Sequence, residues 1–463
     1  MHNGSAQAEG PLWAVHKMKV AVIGGGISGL SCAYYLERAD AESVVFDPTP
    51  GGLIGTVHLE GCTLETGPES WLASKPWAEQ LVRELGLGDQ LTGSDDAKRR
   101  TYVLREGRFV TLPEGLQLVV PTRLLPLLKT QLFTWATKFR MGTEVFRNPK
   151  MWPDRSVSEF VADHFGPEAV DYLAEPLLAG VYGGSPDQLS AVSVLPKFVE
   201  YEQRFGSVVV GALREKSKPK GTDGKAQPIF KTLRNGMGTL IDTLRERTNI
   251  VRAHVESIQP ASGSTWAVYA AGEWREFDQV VLCCGANRAA PLVAPLDERA
   301  GELLGSIPHR GSAIWTFGYS TADIPRPLDA FGFLVPRRER QTLMACTWVA
   351  TKWQNRVPAG MSVLRCFSTE TDVTAEAMRE DLTRLMGVTA EPLFALNHRW
   401  PESMPQYTVG HGSRVAELEQ RMGLLPGLHL AGNAYHGIGI PDCVRSAKQA
   451  VDQVRRATTL SLR

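Results

Sequence analysis

Apolar and polar positions along the chain alternate between two rhythms, and the first stretch shows both. Lys19-Val20-Ala21-Val22-Ile23 is a short apolar run of strand type, Leu30 to Leu36 reads as the first turns of a helix, and Ser43-Val44-Val45-Phe46 is a second strand-like run closed by Asp47. Trp77 to Leu87 has helical spacing and ends at Gly86 and Gly88. Thr101 to Leu104 and Phe109 to Leu112, separated by a Glu106-Gly107 turn, predict a hairpin. Ser156 to Gly180 reads as helical, with Ser156 and Ser158 as candidate N-caps. Phe230 to Leu240 is a glycine turn leading into a helix, Val251 to Ile258 a strand, Trp266–Ala270 with Trp274–Phe277 a hairpin, and Gln279 to Cys284 a buried strand. Mixed strands and short helices follow to about residue 400, then a last strand, His429 to Asn433, and a last helix, Val444 to Arg456.

Between the first strand and the first helix lies Gly24-Gly25-Gly26-Ile27-Ser28-Gly29. Strand, G-x-G-x-x-G turn, helix, strand and terminal acid together make the dinucleotide-binding pattern. Gly24 permits the tight turn, Gly26 lets backbone approach a pyrophosphate, and Gly29 lets the helix pack on the strand. The helix N-terminus offers free N–H groups to phosphate. Asp47 lies eighteen residues after Gly29, close to the spacing of an acid that accepts bonds from ribose hydroxyls.

Length and composition narrow the class further. At 463 residues the chain is too long for one core. Lys+Arg and Asp+Glu are equal at 50 each, which gives no pull towards nucleic acid. Seven scattered cysteines without a C-x-x-C argue against a disulfide framework and a zinc site, and for a reducing compartment. Met1 to Lys17 is read as an extension ahead of a start at Met18, without the pattern of a signal peptide. The lysine- and glycine-rich stretch Lys216 to Gln227 is read as an exposed loop. Gly115 to Phe146 is rich in leucine and aromatics punctuated by Arg123, Lys129, Lys138 and Arg140. It reads either as core helices of a helical subdomain or as a surface that meets a bilayer. The corresponding location is cytoplasmic, with or without peripheral membrane contact.

The carboxy-terminal segment Gly432-Asn433-Ala434-Tyr435-His436-Gly437-Ile438-Gly439-Ile440-Pro441-Asp442-Cys443 resembles the flavin-contacting end of FAD oxidases of the monoamine oxidase superfamily. Within it, the chain is most similar to porphyrinogen oxidases. Glu65-Thr66-Gly67-Pro68-Glu69-Ser70, Glu175 to Pro186 with Leu189-Ser190, and Trp400-Pro401-Glu402-Ser403-Met404-Pro405-Gln406-Tyr407 carry that resemblance, and Ala345 to Trp348 with Lys352-Trp353 resembles the soluble bacterial branch. The resemblance implies an α/β (α+β) fold: a discontinuous Rossmann-like FAD-binding domain (18–92, 230–290 and 410–463), an inserted mixed-sheet substrate domain (93–114, 190–229 and 291–409) and a helical subdomain (115–189), behind an extension at 1–17. It implies FAD held by Gly24, Gly26, Ile27, Ser28, Gly29, Asp47, Gly51, Gly52, Gly67, Pro68, Val255, Trp400, Gly432, Asn433, Gly439, Ile440 and Pro441. It implies a reaction carried by the flavin, with dioxygen as acceptor and no metal. Coproporphyrinogen III is favoured over protoporphyrinogen IX. Substrate contacts are expected from Lys75, Arg99, Arg100 and Arg337 as rim cations, Phe331, Phe333, Leu334 and Trp348 as apolar walls, and Gly180 as a close backbone approach. The chain departs from the superfamily pattern at Asp47, where Glu is usual, at Pro50, where an arginine is usual, and at Ser185, where Asp is usual. Two other readings stay open: an amine or polyene oxidase of the same superfamily, and a flavin-free binder of the dissociation-inhibitor type.

Overall fold

The computed structural model describes residues 17–216 and 228–461, so all of the expected loop at 216–227 but Lys216, which ends a helix, and the extension before residue 17 lie outside the described residues. The strand Lys19–Ile23 is central in a five-stranded sheet of order Ile250–Val251, Glu42–Phe46, Lys19–Ile23, Gln279–Leu282, Leu428–Leu430, and every pairing is parallel. Both faces are covered. Val20 and Val22 pack with the helices Ile27–Arg38 and Ile440–Ser461, while Ala21 and Ile23 pack on the opposite side with a small antiparallel sheet and the helices Ala286–Val293 and Glu298–Gly305. Burial on both faces explains why these strands are continuously apolar.

A second, seven-stranded sheet runs in the order Phe394–Pro405, His309–Ser320, Met361–Ser368, Ala345–Trp348, Gly332–Leu334, Thr101–Arg105, Arg108–Thr111. It is mixed, because Gly332–Leu334 runs parallel to Thr101–Arg105. Helix Ala375–Met386 covers one face through Met378, Leu382 and Met386. A third, helical cluster gathers residues 119–212.

Three expectations change in detail. The stretch 156–180 is not one helix: Ser156 caps Val157–Phe165 with a full capping box, but Gly166, at φ +90° and followed by Pro167, breaks it. Val251 to Ile258 divides between two sheets, Ile250–Val251 closing the parallel one and Val255–Pro260 opening another. Helices Pro196–Phe205 and Val208–Lys216 pack with the helical cluster rather than with the seven-stranded sheet to which 190–229 was assigned.

Candidate active site

Successive parallel strands end together, and the turns that follow them meet: Ile23 leads to Gly24, Phe46 to Asp47, Leu282 to Cys283, and Leu430 to Ala431-Gly432. Ligands of open α/β sheets bind at this carboxyl edge. A cavity of about 290 Å³ lies here, walled among others by Gly26, Ser28, Asp47, Pro68, Gly432 and Ile440.

Sterics explain the glycines. Gly24 sits at φ +106°, and a Cβ there would lie 2.7 Å from the backbone nitrogen of Cys284. A Cβ on Gly29 would lie 1.8 Å from the Gly24 carbonyl oxygen, so only glycine lets the helix seat on the turn. The helix that begins at Ile27 has no side-chain cap and no acid in its first turn. Its free N–H groups therefore open at the wall formed by Gly26, Ile27 and Ser28, where a phosphate would satisfy them. The donor set fits a dinucleotide pyrophosphate.

Asp47 lines the cavity but is already engaged. It accepts bonds from the backbone N–H of Gly25 at 2.6 Å and of Thr49 at 2.7 Å. The carboxylate thus braces the glycine turn, and each oxygen keeps a further lone pair for a ligand hydroxyl. Pro50, in the place of the usual arginine, packs against Gly25.

The opposite wall is held by hydrogen bonds through Tyr407. Its hydroxyl donates to the Asn433 carbonyl at 2.6 Å and accepts from the Gly437 N–H at 2.8 Å. Gly437, at φ +129°, leaves room for Asp442, whose carboxyl carbon would lie 2.6 Å from a Cβ there. Cys284 and Cys443 face the cavity, and burial pushes their thiols up to about 12 and about 11, so both stay protonated and neither offers a thiolate.

Of the expected cofactor residues, Gly24, Gly26, Ile27, Ser28, Asp47, Gly52, Pro68, Gly432, Asn433 and Ile440 line the cavity. The remainder, Val255 excepted, flank the lining residues. Gly51 donates its N–H to the Gly25 carbonyl, Gly67 packs on the Leu53 carbonyl, and the Trp400 indole donates to the Thr66 carbonyl at 2.8 Å. Gly439 and Pro441 flank Ile440 at the start of the last helix, and Val255 packs against an apolar cluster instead of the cavity. The sequence reading missed Leu53, Ile54, Cys283, Cys284, Gly285, His309, Glu402, Ser403, Ile438 and Cys443. Cys283 to Gly285 could have been found, since they follow a buried strand as Gly24 does. His309, Glu402 and Ser403 carried no local signal.

The expected substrate residues do not converge. Lys75 pairs with the buried Asp442 at 2.5 Å, and Arg100 pairs with Asp329 at 3.0 Å. Arg99 and Arg337 are exposed, and Arg337 donates its backbone N–H to Glu175. Phe331, Phe333 and Trp348 are buried, the last two inside the core of the seven-stranded sheet, because their strand faces pack under helix Ala375–Met386. They are core rather than open walls, and Leu334 packs against the helical cluster. Gly180 lies inside helix Glu175–Tyr182, exposed, with nothing within 4 Å of a Cβ built on it; the helix ends instead at Gly183 in the left-handed region.

Sheet, glycine turn and cavity define a flavin-dependent oxidoreductase. The family described as flavin containing amine oxidoreductase matches residues 27–455, and the chain belongs to it. FAD is its cofactor. The chain is 31% identical to coproporphyrinogen III oxidase of Bacillus subtilis (strain 168), covering 94% of this chain and 97% of the relative. It is 27% identical to protoporphyrinogen oxidase 2, chloroplastic/mitochondrial, of Arabidopsis thaliana, covering 97% and 96%. A crystal structure from Exiguobacterium sp. 255-15 superposes with a TM-score of 0.82 at 29% identity, over 95% of this chain and 99% of that one.

Proposed function

We propose that this FAD enzyme oxidises a porphyrinogen to a porphyrin in haem biosynthesis, with coproporphyrinogen III the favoured substrate and protoporphyrinogen IX second. One observation carries the reading: the uncapped helix at Ile27 and the Gly432–Ile440 segment meet in one cavity, in a chain similar to coproporphyrinogen III oxidase over nearly its whole length. Bound FAD would supply two-electron oxidation, with dioxygen as the final acceptor. The chain's own groups bind and orient. The N–H groups of Ile27 and Ser28 would hold the FAD phosphate, Asp47 fixes the glycine turn, and Tyr407 keeps Asn433 and Gly437 in register. His309 donates from Nδ1 to the Ile307 carbonyl at 2.9 Å, which leaves Nε2, buried and unpartnered, as an acceptor at the cavity wall. Burial holds this imidazole below its ordinary value and keeps it neutral. The test is anaerobic mixing of the yellow protein with coproporphyrinogen III, protoporphyrinogen IX and an alkyl amine. The first should bleach the flavin fastest; bleaching by the amine alone would replace this reading with amine oxidation.

The proposed location is the cytoplasm, with peripheral contact to a bilayer. Among the described residues no helix is long and apolar enough to cross a membrane. The short helices Leu124–Lys129 and Trp135–Thr143 and the turn after them leave Trp135, Phe139 and Phe146 at 72%, 74% and 81% exposure, with Leu124 and Leu125 beside them. Lys138 lies over the Trp135 ring at 4.4 Å, and Arg123 and Lys129 flank the leucines. Exposed aromatics and leucines edged by cations suit an anionic lipid surface. Co-sedimentation with anionic vesicles should fall sharply in the Phe139→Ser/Phe146→Ser variant; equal sedimentation would remove the membrane contact and leave the enzyme assignment standing.

A further inference from the structure

A second cavity, about 380 Å³, lies next to the cofactor cavity and shares His309 with it. It opens where the strand His309–Ser320 begins, with His309 opposite Pro405 and Arg310 opposite Met404 on the neighbouring strand. Its polar wall is Gln188, His309, Arg310, Thr369, Gln406 and Thr408. That set contains one guanidinium, two amides, two hydroxyls and a neutral imidazole. It contains no carboxylate.

The cation is uncommitted. Among the described residues the Arg310 side chain makes no hydrogen bond, ion pair or ring contact, although Lys75, Arg100, Arg338 and Arg340 all face an acid. The wall behind it is rigid. Gln406 is buried, and its amide nitrogen donates to the carbonyls of Tyr182 at 2.6 Å and Met404 at 3.0 Å. Its amide oxygen would lie 1.9 Å from a Cβ on Gly184, so a glycine is required there to admit this side chain. The side chain is therefore fixed as wall. An arginine without an acid, above a fixed polar floor and beside the cofactor cavity, is complementary to a carboxylate arm on a molecule that reaches the cofactor.

We propose that this cavity is a carboxylate subsite of the substrate site. It receives one propionate of the porphyrinogen, with Arg310 as its charge partner and Gln188, Thr369 and Thr408 as neutral hydrogen-bonding partners. The proposal rests on the porphyrinogen reading and replaces Lys75 and Arg100, which are paired elsewhere, as the rim cation. Arg310 is a specificity-determining residue in this account. It binds a remote part of the substrate, so its loss should raise KM and leave kcat nearly unchanged.

The experiment compares holoenzymes carrying Arg310→Gln, Arg310→Lys and, as a distant surface control, Arg204→Gln. Each is titrated with coproporphyrin III and with mesoporphyrin dimethyl ester, which has no free carboxylate, and FAD content is measured in parallel. Arg310→Gln should weaken coproporphyrin binding by about tenfold, the worth of one charge-assisted contact in an open cavity. It should leave ester binding and FAD content at the wild-type level, while Arg310→Lys keeps most of the affinity and Arg204→Gln keeps all of it. Unchanged coproporphyrin affinity in Arg310→Gln overturns the subsite, as does an equal loss for acid and ester. No binding of either porphyrin to the wild-type protein overturns instead the porphyrinogen reading on which the subsite depends.

Discussion

Among the charged side chains buried in the described residues, two groups are neutralised in different ways. Below the cofactor cavity, the Glu65–Ser70 loop is tied by Lys352, Arg356 and Arg365, the last on the strand Met361–Ser368 of the second sheet. Glu69 binds Lys352 through one oxygen and Arg365 through the other at 2.8 Å, and Arg365 also donates to the Gly67 carbonyl at 2.5 Å. Glu65 binds Arg356 at 2.8 Å and accepts from the Met237 N–H at 2.9 Å. In the helical cluster, His164 is the bridge. Its two ring nitrogens reach Glu144 at 2.8 Å and Glu202 at 3.1 Å, with Arg155 on Glu202 and Arg147 on the adjacent Asp163. The first group fastens Pro68, a cavity wall, with lysine and arginine. The second fastens helices away from the cofactor with a charge that pH can remove. Where the cofactor wall must hold over a range of conditions, the lock is made of lysine and arginine.

The titration directions separate the two groups. Burial alone would raise the Glu69 carboxyl, but Lys352 and Arg365 outweigh it and hold it down at about 2. Its contribution to stability is complete above its ordinary 4.5 and is lost as pH falls through about 2. Glu65 runs in the opposite sense, because burial outweighs Arg356 and keeps its carboxyl above the ordinary range. Burial also opposes charging of His164, but hydrogen bonds to Glu144 and Glu202 prevail and raise it above 6.5. Its contribution is present below 6.5 and is lost as pH rises through the raised value.

The largest expected effect breaks the Lys352–Glu69–Arg365 lock. Arg365→Met leaves Glu69 with Lys352 alone and the Gly67 carbonyl without its donor, and should cost about 3–5 kcal/mol in urea unfolding of the holoenzyme, with loss of FAD. A loss below about 1 kcal/mol would show that the loop is held by other contacts. Next, Asp47→Ala removes the acceptor of two backbone N–H groups in the glycine turn and should weaken FAD retention by about 1–3 kcal/mol on dialysis. Wild-type retention would mean that the turn stands without its brace.

The third prediction sharpens the pH contrast. Wild-type stability should decline between pH 6.5 and the alkaline side while the His164→Gln variant, less stable at pH 6, shows no decline over that window. Parallel curves for the two proteins would place the titration elsewhere. The smallest effect is expected at the surface, where Arg299 forks onto Glu417 at 2.7 and 3.1 Å in full contact with water. Arg299→Ala should leave the urea midpoint within error of the wild type, against a clear loss for Arg365→Met, although Arg299 makes the two-pronged contact with its acid and Arg365 a single one.

What could be read in the sequence was local. The first strand, the glycine turn and Asp47 occupy one short stretch, and the steric demands at Gly24 and Gly29 are met by immediate neighbours, so pattern and structure coincide there. The Gly432–Pro441 segment was legible for the same reason. The charge partners were not. Lys352, Arg356 and Arg365 find Glu65 and Glu69 across nearly three hundred residues, and no periodicity marks such pairings. Phe331, Phe333 and Trp348 looked like ligand walls because an apolar strand carries the same signal whether it faces a core or a cavity. One leucine-rich pattern at 124–146 holds both buried and exposed apolar positions, which the sequence does not tell apart: Leu127, Leu132 and Met141 are core, while Leu125 and Phe139 face outward.

FAD held at the carboxyl edge of the parallel sheet would take the electrons of a porphyrinogen. The most direct test mixes the oxidised holoenzyme with coproporphyrinogen III without oxygen in a stopped-flow spectrometer. Flavin absorbance near its yellow band should disappear as porphyrin absorbance rises, and return when air is admitted. A flavin that stays oxidised in the presence of both coproporphyrinogen III and protoporphyrinogen IX would contradict the account.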